Sequence, residues 1–151
     1  MLLSGEYVWH EYEETPLTDW AAPAIQYCRA LEFEVRRRLY KHAPTTFRLP
    51  PAGWTLGVLK YLYQHRNDTR ADTVHNWRVL RDILAQANCN TQEFETIIKR
   101  MVDKEVVDHR NHLAHGEPIQ KETAELLRET IIGDGDNMGI LRWLVRSTDP
   151  V

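Results

Sequence analysis

Apolar and polar positions alternate along this chain with the helical period almost throughout. From Thr18 to His42, Trp20, Ala24, Tyr27, Cys28, Leu31, Val35 and Leu39 recur at three- and four-residue spacings. That pattern predicts an amphipathic helix entered through Thr18 or Asp19, with Pro23 tolerated in its opening turns. Pro44, Pro50 and Pro51 then predict a surface loop, because proline cannot continue a helix. A second helix, Thr55 to about Arg66, buries Leu56, Leu59, Leu62 and Tyr63; a third, capped by Thr73 and ending near Ala87 and Asn88, buries Trp77, Leu80, Ile83 and Leu84. Asn90, with Glu93 completing a capping box, opens a long helix faced by Phe94, Ile97, Ile98, Met101, Val102 and Val106 and stopped by Gly116 and Pro118. A fifth helix, about Gln120 to Ile132, uses Ala124, Leu127 and Ile131 and breaks at Gly133-Asp134-Gly135. A last one, about Asn137 to Arg146, presents Leu141, Leu144 and Val145. No strand alternation of useful length and no internal repeat interrupts this series. The expectation is an all-α protein, an up-and-down bundle of about five to six helices.

Residues 1 to 17 stand outside that series. Glu6, Glu11, Glu13 and Glu14 alternate with Tyr7, Trp9 and Tyr12, with no lysine or arginine among them. The segment reads as an acidic, aromatic arm, a short strand or extended stretch lying on the bundle. A second reading has it pack on a partner chain or imitate nucleic acid. Residues 18 to 151 then form one helical domain, since 151 residues with 42% apolar side chains suffice for a single core.

Charge and cysteine usage narrow the function classes. A net charge of -3 argues against coating nucleic acid by bulk electrostatics, so any RNA contact must be local. The two cysteines, Cys28 and Cys89, make neither a disulfide framework nor a CxxC pair. No apolar run is long enough for a signal peptide or a membrane span, and a cytoplasmic protein is expected. One local basic stretch does occur: Arg36, Arg37, Arg38 and Lys41 face away from the first helix's apolar stripe, with Glu32 to Arg36 and Glu34 to Arg38 as helical ion pairs. Arg36, Arg37 and Lys41 are candidate RNA contacts.

The stretch that carries chemistry is Arg110-Asn111-His112-Leu113-Ala114-His115-Gly116. Arg110 is a permanent cation whose fork matches phosphoryl oxygens, and His115 is an imidazole able to move protons near neutral pH. Gly116 and Pro118 place His115 on the last turn or C-cap, at the negative end of the helix dipole, a place that suits a general acid or a phosphate-binding cation. Residues five apart on a helix differ by about 140° and about 7.5 Å of rise, so Arg110 and His115 do not share a face, whereas Asn111 and His115 do. A second copy across a two-fold axis would supply the missing partner and make a composite cleft in a homodimer. His109, His112 and His115, three apart, spread over too wide an arc for one metal ion, and neither a metal nor another cofactor is called for. His112 is a weaker candidate because it shares a flank with Asp108.

These residues give the chain its resemblance to a known family. Arg-Asn-x-x-Ala-His-Gly at a helix end, Ala30-Leu31-Glu32 with Arg36 in the first long helix, Thr55-Leu56-Gly57 opening the next, and a further helix after Pro118 resemble the HEPN superfamily of helical ribonuclease and nucleotide-binding domains. The resemblance covers most of residues 18 to 146. It implies metal-independent endoribonuclease activity, a 2′-hydroxyl attacking the adjacent phosphodiester to leave a 2′,3′-cyclic phosphate. Arg110 would stabilise charge on the phosphoryl oxygens, His115 would act as acid or base, and Asn111 would support it. Glu32 would orient Arg110. The resemblance also implies RNA as partner, a homodimer, a regulatory or sensor protein, and a role as toxin or antiphage defence effector. In one branch of that family a tyrosine stands two places after the histidine; here that place is Glu117. An alternative of a different class is a non-catalytic helical module that dimerises or binds a nucleotide or partner.

Overall fold

A computed structural model of the chain describes residues 2–14, 19–39, 55–86, 89–135 and 137–147. Its elements are α1 (Leu2–Glu13), α2 (Ala21–Arg38), α3 (Leu56–Gln64), α4 (Ala71–Gln86), α5 (Thr91–Asp103), α6 (Val106–Ala114), α7 (Lys121–Ile131), β1 (Gly133–Asp134), β2 (Asn137–Met138) and α8 (Ile140–Ser147). Among the described residues the protein is all-α apart from the antiparallel β1-β2 hairpin, in which Gly133 pairs with Met138. Gly133 sits at φ 100 and a Cβ there would lie 2.3 Å from the Asn137 carbonyl oxygen, so the hairpin requires glycine at this point.

Helix α2 occupies the centre and packs against α1, α6, α7 and α8, while α3 packs against α4, α5 and α6. All seven apolar positions expected inside on the first long helix are buried, as are Leu56, Leu59, Leu62 and Tyr63 of α3. Beneath α4, α5 and α8 the core is aromatic: Trp77 stacks with Phe94 at 6.0 Å, and Phe94 lies 5.9 Å from Trp143. Among the described residues no helix is long and apolar enough to cross a membrane.

Two departures from the expected series raise the helix count to eight among the described residues. The first is α1, where an extended arm was expected. Trp9 is buried at 4.9 Å from Trp20, and the Glu6 carboxylate accepts from Arg128 of α7 at 3.0 and 2.8 Å and from the Tyr27 hydroxyl of α2 at 2.9 Å. A helix brings Glu6, Trp9 and Glu13 onto one side, where Trp9 Nε1 donates to Glu13 at 2.9 Å.

The second is a break in the long helix that was expected to run from Asn90 into the motif. It ends at Asp103; Glu105 adopts φ 50 and ψ 29, and α6 starts afresh at Val106. The reason lies in helical phase. Buried Phe94, Ile98 and Met101 define the inner face of α5, and continuing that face would bring Glu105, Asp108 and His112 inward. One left-handed residue resets the phase so that Val106, Val107 and Leu113 are buried instead. The gain is burial of three apolar side chains in place of three polar ones, against about 1–2 kcal/mol for one non-glycine residue in that conformation.

Smaller corrections concern capping and the basic end of α2. Thr73, expected as a cap, is buried inside α4. Val145, expected inside, is an exposed apolar residue. Arg38, expected in solvent, is buried, with Nε donating to Glu34 at 2.7 Å and Nη1 to the Val145 carbonyl at 3.4 Å. Its depth follows from its position on the inner flank of α2 next to α8.

Candidate functional site

Helix α6 lies against both α2 and α3 and is tied to each by one charged pair. On one flank Lys60 of α3 donates to both oxygens of Asp108, at 2.7 and 2.6 Å. On the other, Arg110 Nη2 donates to Glu32 Oε2 of α2 at 3.0 Å. Both links join residues far apart in sequence, and they fix the rotation of a nine-residue helix whose only buried apolar side chains are Val106, Val107 and Leu113.

Glu32 is a buried carboxylate, 7% exposed. Its second oxygen, Oε1, makes no hydrogen bond, and Arg36 Nη2 lies 3.7 Å from it, an ionic contact too long to be a hydrogen bond. Glu32 therefore stands between two guanidiniums, one bonded and one at ionic distance. The Arg110 side chain keeps 28% of its surface exposed, and its Nη1 makes a long contact of 3.4 Å with Asn111 Oδ1. One turn before Glu32, burial pushes the Cys28 thiol up to about 12, with Arg110 pulling the other way. Burial raises Cys89 as well. Buried neutral thiols are poor nucleophiles, so cysteine chemistry does not belong to this site.

The helix end has the geometry expected from Gly116. His115 is the C-cap, Gly116 has φ 77, and the Gly116 and Glu117 amides donate to the carbonyls of Leu113 at 3.2 Å and His112 at 3.1 Å. This is a Schellman motif. It holds His115 exposed, and among the described residues its ring has no hydrogen-bond or ion-pair partner. Asn111, one turn earlier, is exposed too. His112 does not pair with Asp108, which Lys60 holds; its Nδ1 lies 3.3 Å from Glu117 Oε2. Residues after the motif are anchored to the start of α2: Asp19 Oδ1 accepts from the Ile119 amide at 3.1 Å and the Trp20 amide donates to the Ile119 carbonyl at 3.0 Å.

The structure thus brings Arg110, Glu32 and Arg36 together, with Asn111 beside them. It leaves His115 at the helix end on a different bearing from Arg110. Arg36 and Arg37 are exposed, Arg37 bonded to Glu34 at 2.9 Å, and Lys41 lies outside the described residues. Two residues that sequence reasoning passed over belong to this surface. Phe33, 50% exposed, is the neighbour of Glu32, and Arg29, exposed and without an ion-pair partner among the described residues, lies one turn earlier on the same stripe of α2. Their signal was present as Arg29-x-x-x-Phe33-x-x-Arg36-Arg37, a helical spacing that places an aromatic ring among three guanidiniums. With Arg110, four guanidiniums, those of Arg29, Arg36, Arg37 and Arg110, meet two carboxylates, Glu32 and Glu34, in a chain whose net charge is -3.

No protein-family model, curated protein or solved structure matches this chain.

Proposed function

We propose that the chain is a metal-independent endoribonuclease of HEPN type, acting as a homodimer in the cytoplasm, with RNA as substrate and a toxin or antiphage defence role. The observation that carries this reading is the state of the Arg110 and His115 side chains. Arg110 is anchored on a buried carboxylate with part of its guanidinium still open, while the His115 ring is exposed and unpartnered at the end of the same helix. The basic stripe of α2 with Phe33 at its middle supplies what a single strand needs beside such a site, cations for the backbone and a ring for a base.

The chemistry follows from the residue types. A 2′-hydroxyl oxygen forms a bond to phosphorus, the bond from phosphorus to the 5′-oxygen breaks, and the products are a 2′,3′-cyclic phosphate and a 5′-hydroxyl. One imidazole takes the 2′-hydroxyl proton and another donates a proton to the departing 5′-oxygen; two copies of His115 provide one of each. Arg110 stabilises the charge gathered on the non-bridging oxygens. Asn111, on the same face as His115, steadies the ring or donates to the phosphate.

The test is incubation of the purified protein with total RNA in the presence of a chelator, alongside His115→Ala and a sizing measurement. Cleavage is expected from the native dimer and not from the variant, whose melting temperature stays unchanged because the lost ring is exposed. Mixing native with His115→Ala protein is expected to give mixed dimers that do not cleave, because the composite site uses both copies of His115. Undiminished activity in a strictly monomeric protein would end the composite-site reading.

The second reading, a catalytically silent dimerisation, nucleotide-binding or partner-binding module, is favoured by one feature. The Glu32 carboxylate neutralises Arg110, as a purely architectural contact between α2 and α6 would. It predicts a dimer with no RNA turnover, unaffected by either substitution.

A further inference from the structure

Away from the residues of the motif, α4, the turn after α3 and the first two turns of α5 line an open cleft of about 520 Å³. From its residues we infer a second binding site, one that takes a nucleoside monophosphate. This stands independently of the nuclease reading.

Three guanidiniums line the cleft. Arg66 is held in place, its guanidinium carbon 4.0 Å over the Tyr63 ring and its Nη1 donating to the Tyr63 carbonyl at 2.6 Å, which leaves other N–H groups free to donate. Arg78 is exposed and has no ion-pair partner among the described residues. Arg81, one turn further along α4, has only a loose contact with Glu95 of α5, at 3.7 Å. Guanidiniums spaced by one helical turn lie about 5–6 Å apart at Cβ, close enough for both to reach one phosphate.

Charge and size select the ligand. Three arginines against the carboxylates of Asp82 and Glu95 leave an excess of one positive charge, which suits a phosphate monoester better than a polyphosphate. The volume falls in the range of small-molecule sites and far exceeds what inorganic phosphate fills. The two carboxylates accept hydrogen bonds from ribose hydroxyls or an exocyclic amine. Val74 and the edge of Trp77, whose far side packs on Tyr63 and Phe94, give the base an apolar wall.

The experiment is calorimetric titration of the full chain with adenosine 5′-monophosphate, adenosine and inorganic phosphate as separate probes. The monophosphate is expected to bind at least about tenfold more tightly than either of its parts, because base and phosphate sites act together. Arg78→Ala, an exposed substitution, weakens it by about tenfold. Arg110→Ala, with its fold checked by circular dichroism, leaves it unchanged. Absence of binding at millimolar monophosphate overturns the inference. So does phosphate binding as tight as the monophosphate, or loss of binding in Arg110→Ala in place of Arg78→Ala.

Discussion

Replacing Arg110 by alanine tests the link between α2 and α6 and the chemistry at once, and the structure separates the two effects. The substitution strands Glu32, whose side chain is 10% exposed and whose second oxygen already lacks a hydrogen bond. Removing one partner of a buried ion pair costs about 3–5 kcal/mol. Here Arg36 remains 3.7 Å from the other oxygen and the Arg110 side chain is 28% exposed, so the cost comes down to about 2–3 kcal/mol. For a domain of this size that corresponds to about 5–10 °C in melting temperature. Adding Glu32→Gln removes the stranded charge and is expected to recover about half of the loss, since an amide is far cheaper to bury than a carboxylate. Thermal melts followed by circular dichroism read the stability of both proteins, and RNA cleavage is measured well below the lower transition. The double variant should regain stability and stay inactive. A melting temperature for Arg110→Ala within about 2 °C of native would refute the stabilising role of the pair. Recovery of cleavage in the double variant would refute contact between Arg110 and the phosphate.

Gly116→Ala places a Cβ in open space but at φ 77, so the expected loss is the backbone term alone, about 1–2 kcal/mol by urea unfolding. Glu105→Gly, which relieves φ 50 at the break before α6, is expected to be neutral or stabilising, unlike glycine at an ordinary helix position, where a loss of about 1 kcal/mol is usual; a loss of that size would show the break is not rigidly held. The hydrogen bonds from Arg128 hold the Glu6 carboxyl below its ordinary value of 4.5 against the opposing effect of burial. A depressed folded-state pKa gives stability that is present above pH 4.5 and is lost as pH falls through the folded value. The tryptophan fluorescence lost in a Trp9→Phe reference should therefore report loosening of α1 on acidification below that range, and Glu6→Gln should flatten the change; an unaltered acid transition in the variant would dissociate Glu6 from α1 docking.

Helical period alone located most of the scaffold. The stripes of α2 and α3 were readable because burial of apolar side chains at three- and four-residue spacings is a local property of the chain. The glycine stop after His115 was readable for the same reason: a C′ glycine is decided within one turn. The helical state of residues 2–13 was not, because it depends on Trp9 meeting Trp20 and on Glu6 meeting Arg128, 122 residues away. The break at Glu105 was obscured because Ile98, Val102 and Val106 continue one i, i+4 row across it. Only the need to bury Val107 and Leu113 against α2 and α3 makes a reset of phase favourable.

The candidate site divides along the same line. The sequence by itself determined which groups are present, an arginine and a histidine five apart at a helix end, and that such spacing keeps them on different faces. Tertiary structure decided what each one meets: Glu32 for Arg110, Lys60 for Asp108, Glu117 for His112, and solvent for His115. Helix geometry is set by neighbours along the backbone, whereas an ion pair is set by which helices pack and at what rotation, and that depends on the whole core at once.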